Sequence, residues 1–200
     1  GGMNGLPAVH DAALPGHPGA AVDWARVRAD FPLLMREVHG HPLVYLDNAN
    51  TSQKPLSVVA SQDEFYRRHN ANVSRAVHAL GTEATEAYEA ARSRLARFLN
   101  VRADEVVLCS GTTFAINLVA YSWALPRLKE GDTILVSRME HHANIVPWQL
   151  VAQRTGAKIR VAEILPDGSL DLDALYRAMT PDVKLLAVAH VSNVLGTVNP

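Results

Sequence analysis

Three short segments carry side chains whose types could do chemistry. The first is Cys109-Ser110-Gly111-Thr112-Thr113. Gly111 lets the backbone turn tightly. The residues after it expose N–H groups at a helix start, and Thr112 and Thr113 add hydroxyl donors. By mechanism that is a phosphate cradle; on this stretch alone an ordinary helix cap is the first reading. The second is Met139-Glu140-His141-His142-Ala143-Asn144. Adjacent histidines chelate a metal poorly, because a zinc-binding helix spaces them about four residues apart. Their side chains diverge, so one imidazole can face a pocket and stack on an aromatic ring while the other packs. Surface polarity is the plainer reading of such a pair. The third is His190-Val191-Ser192-Asn193. Asn193 can bond a phenolic oxygen or a carboxylate, or it can close an Asx turn.

Schiff-base chemistry needs a lysine. The chain has four: Lys54, Lys129, Lys158 and Lys184. One precedes a proline, one lies in a polar turn and two start apolar runs, so all four read as solvated surface residues. Cys109 ends an apolar run and reads as a buried structural thiol rather than a reactive thiolate. A single cysteine excludes an internal disulfide framework and makes a reducing, cytoplasmic setting the default.

The elements that must position these segments follow from periodicity and punctuation. Asp23 can cap a short helix stopped by Pro32. Leu43 to Leu46 is expected to be a strand. Pro55 opens a helix to about Arg68, with Val58, Val59, Phe65 and Tyr66 as buried candidates. Thr82 to Leu99 is the longest helical pattern, with apolar residues at spacings of three and four. Short β-rich runs then alternate with helical ones: strands at Glu105–Cys109, Thr133–Ser137, Lys158–Ile164 and Lys184–His190, and helices from Thr112 through Trp123, Ala143 to Arg154, and Asp171 to near Met179. Four such alternations predict a doubly wound α/β sheet. The continuous hydrophobicity of the last strand suggests the burial on both faces that parallel strands have. Ligands of such sheets gather at the carboxyl ends of the strands, where all three segments fall.

The 200 residues suffice for one compact domain or a little more, with 48% hydrophobic and 20% charged residues. A formal charge of −1 excludes a broad basic footprint for nucleic acid. No apolar run approaches the roughly 20 residues needed to span a bilayer. Gly1-Gly2 ahead of Met3 reads as an expression remnant, and residues 1–22, rich in Gly and Pro, as a flexible leader.

Taken in order, these segments resemble the SufS-type (group II) cysteine desulfurase and selenocysteine lyase family. That family belongs to the aminotransferase class V, fold-type I pyridoxal-phosphate (PLP) enzymes. The matching stretches are Val27 to Pro32, Tyr45-Leu46-Asp47, Ser52 to Pro55 and Gly111-Thr112-Thr113. The most specific are Met139 through Gln149 (MEHHANIVPWQ) and His190 through Gly196 (HVSNVLG). The similarity runs from about Asp23 to Pro200.

The resemblance implies a large domain with a mainly parallel sheet flanked by helices. Residues 47–200 would form its first part, and 23–46 would contribute to a smaller domain. PLP would be the cofactor. Thr113 would contact its phosphate, with the backbone of Thr112 beside it, and His141 would stack on its ring and assist proton transfer. Asn193 would bond the ring's phenolic oxygen or the substrate carboxylate. Ala49, Asn50 and Ser74 would border a small amino-acid substrate, cysteine or a derivative. The reaction would remove sulfur as a persulfide and release alanine, with a possible sulfur-acceptor protein as partner. A homodimer is implied; nucleic acid and membrane are not. The Schiff-base lysine, its aspartate partner, the sulfur-accepting cysteine and the carboxylate-binding arginine would lie beyond Pro200.

Three positions depart from the family pattern: Asn50 stands where alanine is usual, Ser74 where histidine precedes arginine (here Arg75), and Phe114 where an acid is usual. These departures motivate two alternatives, a PLP-dependent C–S lyase working by β-elimination and a catalytically inactive paralogue. A nucleotide-binding α/β domain is a further reading, although it lacks a glycine-rich fingerprint.

Overall fold

A computed structural model describes residues 22–74 and 77–200. The expected leader therefore lies, apart from Val22, outside the described residues, as does Arg75. The chain divides into two units, one up to Tyr88 and one from Glu89 to Pro200.

In the first unit, helix α1 (Trp24–Ala29) starts where expected: Asp23 Oδ1 accepts from the Arg26 N–H at 3.0 Å. Pro32 then opens a 3-10 turn, Pro32–Met35. A two-residue hairpin follows, β1 (Glu37–Val38) against β2 (His41–Pro42). The expected strand at Leu43–Leu46 is not formed. Among the described residues no segment hydrogen-bonds to it as a ladder, and Leu46 is 88% exposed. The Arg28 guanidinium instead donates to the Leu43 and Leu34 carbonyls, both at 2.7 Å. Helix α2 (Leu56–Glu64) begins after Pro55 and continues as a π turn, Phe65–His69, close to the expected span. Phe65 is half-buried, but Val58, Val59 and Tyr66 are exposed, contrary to expectation. Apolar side chains at these positions mark a helix able to pack; they do not name what packs on it. Helix α3 (Ala79–Leu99) starts three residues earlier than expected and passes from one unit to the other. Ala84 and Ala96 are buried on it, whereas Leu95 and Phe98 are exposed.

The second unit carries the sheet. A 3-10 turn at Ala103–Glu105 is followed by residues 106–109, which join no ladder among the described residues. The expected strand at Glu105–Cys109 is thus absent, and Cys109 is exposed rather than buried. Both corrections have one cause: a β-rich run becomes a buried strand only when a neighbour pairs with it. Helix α4 (Thr112–Val119) runs through a π turn, Ala120–Ala124, into α5 (Leu125–Arg127). Then come β3 (Thr133–Ser137), a 3-10 turn (His142–Asn144), α6 (Val146–Thr155), β4 (Lys158–Ala162), α7 (Leu172–Ala178) and β5 (Val183–Ala187). Pro147 sits in the first turn of α6, where its missing N–H costs nothing. Asp171 caps α7 by accepting from Ala174 N–H at 2.8 Å.

The sheet has three parallel strands in the order β4-β3-β5. Every residue of central β3 is buried. Its pleat sends Ile134 and Val136 to one face, where they pack with Ala120, Ala124, Leu128, Trp148 and Val151. Leu135 points to the other face, with Met139, Ala162, Leu170 and Leu175. Full burial of such a side chain contributes about 1.5–3 kcal/mol. Edge strand β5 alternates exposed and half-buried residues before Ala187, so its expected burial on both faces holds only in part. At the amino ends of the strands, the Asp182 carboxylate accepts from Thr133 Oγ1 (2.6 Å), Thr180 Oγ1 (2.5 Å) and Arg160 Nη2 (2.9 Å). The two hydroxyls, more than the guanidinium, hold its pKa well below the usual carboxylate range. Among the described residues, no helix is long and apolar enough to cross a membrane.

Candidate active site

Strand order fixes where a ligand can sit. From β3 the chain moves to β4 on one side, then crosses back through α7 to β5 on the other. In open sheets of this kind ligands gather beyond the carboxyl ends of the strands. The turn after β3 carries His141, and the hairpin after β5 carries Asn193.

Helix α4 supplies the third wall. Its N-cap is Gly111, at φ 152° and ψ 178°, a conformation open essentially to glycine alone. No side chain caps the helix, so the N–H groups of its first turn remain available, with the positive end of the helix dipole behind them. Thr112, Thr113 and Phe114 are all exposed there. Asn117 Nδ2 donates to the Thr113 carbonyl at 2.9 Å, which steadies the first turn. Helix α4 lies alongside the His142–Asn144 turn, with Cα atoms of the two within 8 Å. The structure thus packs the helix that begins with the threonine pair against the turn that follows His141.

The His141 ring is exposed, and its orientation is set locally. Its Nδ1 accepts from Ala143 N–H at 3.1 Å, while its carbonyl accepts from Asn144 N–H at 2.7 Å. A neutral imidazole whose Nδ1 accepts must carry its proton on Nε2. The ring of His142 stands perpendicular to it, 6.2 Å away between centroids, so the two histidines diverge as adjacent side chains should.

Asn193 is exposed at the tip of a tight hairpin. The hairpin is pinned by Ser192 N–H to the Thr197 carbonyl (2.9 Å) and by Leu195 N–H to Ser192 Oγ (3.2 Å). Its base is closed by Asn199, 4% exposed, whose Nδ2 donates to the Ala189 carbonyl at 2.7 Å.

The remaining candidates belong to the first unit. Ala49 and Asn50 lie in an exposed turn that Tyr45 closes by donating to the Asp47 and Thr51 carbonyls, at 3.1 and 2.7 Å. Asn50 Nδ2 donates to Asp47 Oδ2 at 3.4 Å. Ser74 has a left-handed backbone, φ 72°, uncommon for a residue with a side chain. Its N–H donates to Thr85 Oγ1 at 2.9 Å. All four lysines are exposed, as expected.

Sequence reasoning missed the residues beneath these loops. Glu140, 8% exposed, accepts from Ser137 Oγ, Ala189 N–H and Asn144 Nδ2. Asn144 in turn accepts from the buried Trp148 indole at 2.9 Å. The one available hint was the four-residue spacing of Asn144 and Trp148 on a helical segment.

The sequence model of aminotransferase class V matches residues 44–200. A probable cysteine desulfurase of Xylella fastidiosa is 74% identical over 92% of this chain and 44% of its own length. Among solved structures, the cysteine desulfurase CsdA of Escherichia coli superposes with a TM-score of 0.74 at 40% identity, covering 90% of this chain and 44% of that one. A cysteine desulfurase of Thermococcus onnurineus gives 0.79 at 37% identity, covering 88% and 42%. The expected fold, the α/β fold of these enzymes, is therefore the one observed. The chain spans less than half the length of the relatives it matches. It belongs to the aminotransferase class-V family.

Proposed function

We propose that the complete protein is a PLP-dependent cysteine desulfurase. The observation that carries this reading is one juxtaposition. Helix α4, whose start carries two threonine hydroxyls and no side-chain cap, lies alongside the turn that follows His141, whose Nδ1 accepts from Ala143 N–H in the loop after β3. When bound, the cofactor supplies an electron sink for the carbanion that forms at the substrate's α-carbon.

The residues of this chain divide the remaining work. The first-turn N–H groups of α4 and the hydroxyls of Thr112 and Thr113 bind the phosphate, favoured by the helix dipole. His141 covers the ring with its flat face and keeps the Nε2 proton directed outward, where it can assist proton transfer. The Asn193 amide bonds the phenolic oxygen or the substrate carboxylate. Ala49, Asn50 and Ser74 border the substrate. On this reading, residues 23–46 serve a smaller domain and 47–200 begin the cofactor-binding one. The Schiff-base lysine and the sulfur-accepting cysteine lie in the part of the relatives' length that this chain does not span. Cysteine is the substrate, a sulfur-acceptor protein the downstream partner, and the working form a cytoplasmic homodimer.

The test is a product assay on the full-length protein. With cysteine, it should release alanine and leave an enzyme-bound persulfide, and the purified protein should absorb visible light through its cofactor. Pyruvate in place of alanine would refute desulfuration and establish elimination, the alternative suggested by Asn50, Ser74 and Phe114. A colourless protein that stays colourless with added PLP would refute the cofactor.

A further inference from the structure

The turn that presents His141 is held from beneath by a carboxylate to which the proposed chemistry gives no task. Glu140 Oε1 accepts from Ser137 Oγ at 2.5 Å and from Ala189 N–H at 2.7 Å. Its Oε2 accepts from Asn144 Nδ2 at 2.7 Å, and Asn144 Oδ1 accepts from Trp148 Nε1 at 2.9 Å. The anchors are the end of β3, the segment after β5 and the first turn of α6.

Every bond in this chain runs in one direction. An ionised carboxylate only accepts, so Asn144 must turn its NH2 toward Glu140. Its carbonyl then faces α6, where the indole offers a donor and nothing else. A glutamine at position 140 cannot replace this pattern. With its oxygen toward Ser137 and Ala189, its NH2 opposes the NH2 of Asn144. Rotating Asn144 moves the conflict to Trp148, and rotating the glutamine moves it to Ala189 N–H. In a part-buried site of low local dielectric such a conflict is costly.

The same bonds span His141 in the chain. The Glu140–Asn144 side-chain bond closes the turn from outside, and Ala143 N–H to His141 Nδ1 and Asn144 N–H to the His141 carbonyl lie within it. We propose that Glu140 is the positioning residue of the site: its shared carboxylate sets the direction of hydrogen bonding through Asn144 to Trp148, and thereby fixes the orientation and tautomer of the His141 ring. The proposal rests on the reading that His141 covers the cofactor.

The experiment compares full-length wild type, E140Q, H141A and the double variant. One readout is the tautomer of His141, from 15N NMR of histidine-labelled, cofactor-free protein. The others are visible circular dichroism per bound cofactor, and kcat and KM. Wild type should show a single Nε2–H tautomer. E140Q should show a mixture, visible dichroism reduced severalfold, and kcat lowered about 10- to 100-fold with KM within about twofold. The double variant should be no worse than H141A, because both substitutions act through one ring. A wild-type tautomer and dichroism in E140Q, or losses that multiply in the double variant, would overturn the proposal. If H141A leaves dichroism and kcat unchanged, the reading of His141 fails, while the tautomer in cofactor-free protein still decides whether Glu140 holds the ring. Should E140Q not fold, N144A removes the bonds to Glu140 and to Trp148 while leaving the carboxylate's bonds to Ser137 and Ala189. It must then give the tautomer mixture, and a single Nε2–H form would refute the idea.

Discussion

Replacing Gly111 with alanine separates backbone geometry from packing at the proposed phosphate site. A β-carbon built on Gly111 meets no atom within 4 Å, so no clash opposes the substitution. The cost lies in the dihedrals alone. At φ 152° and ψ 178° the residue occupies a region that side chains exclude, worth on the order of 1–3 kcal/mol. The turn can relieve that strain by rotating φ to a negative value. Doing so swings the N–H groups of Thr112 and Thr113 away from the direction in which they now point. Protein without cofactor should therefore keep most of its stability, because the loop is exposed and can relax. Binding must instead restore the strained geometry. At about 1.4 kcal/mol per tenfold, PLP affinity should fall about 5- to 150-fold. The assay is titration of cofactor-free, full-length protein with PLP, followed by visible absorption, for wild type, Gly111→Ala and Thr113→Ala. Gly111→Ala with affinity within about twofold of wild type would refute the argument, since the N–H groups would then not be what holds the phosphate. Thr113→Ala tests the hydroxyl separately and should weaken binding less, through loss of one hydrogen bond worth about 1 kcal/mol.

Ile134 is fully buried on the central strand. Ile134→Ala should destabilise the protein by about 2–5 kcal/mol, read from urea midpoints at unchanged slope. Asp171→Ala should cost about 0.5–2 kcal/mol through loss of the α7 cap, and Asp171→Asn should recover most of it. Asp182 has a lowered pKa, so its contribution is present above its unfolded value, about 3.9, and is lost as pH falls toward the folded one. Asp182→Asn should therefore show a shallower loss of stability than wild type on acidification from pH 5 to 2, measured by urea denaturation; parallel curves would contradict this.

The legible parts of the fold are those whose cause is local. Asp23 and Asp171 announce helix starts by a side chain reaching three residues along, and both caps form. Gly111 before two threonines announces the start of α4, and the buried strand β3 shows in its unbroken apolar run. The failures share the opposite property. Residues 43–46 and 105–109 have strand composition, yet strand formation is decided by a partner elsewhere in the chain, and neither finds one among the described residues. Cys109 followed the second of these into the wrong burial class. Among the candidate site residues, His141 and Thr113 could be picked out because motif and punctuation mark them. Glu140 could not, because its meaning depends on the Ala189 N–H, 49 residues away.

That distant contact also ties the two candidate loops to each other. Ala189 lies just past β5, and its peptide groups are engaged in both directions. Its N–H is given to Glu140, at the base of the His141 turn, and its carbonyl accepts from Asn199, at the base of the Asn193 hairpin. Asn199 Nδ2 also reaches Met139 Sδ at 3.3 Å, beside Glu140, so the ring of contacts closes on itself. A parallel sheet aligns the ends of β3 and β5 but leaves the loops beyond them with no ladder to hold them. Here the ladder's role is taken over by one carboxylate and one amide, both buried. The loops after β3 and β5 thus share the peptide groups of Ala189.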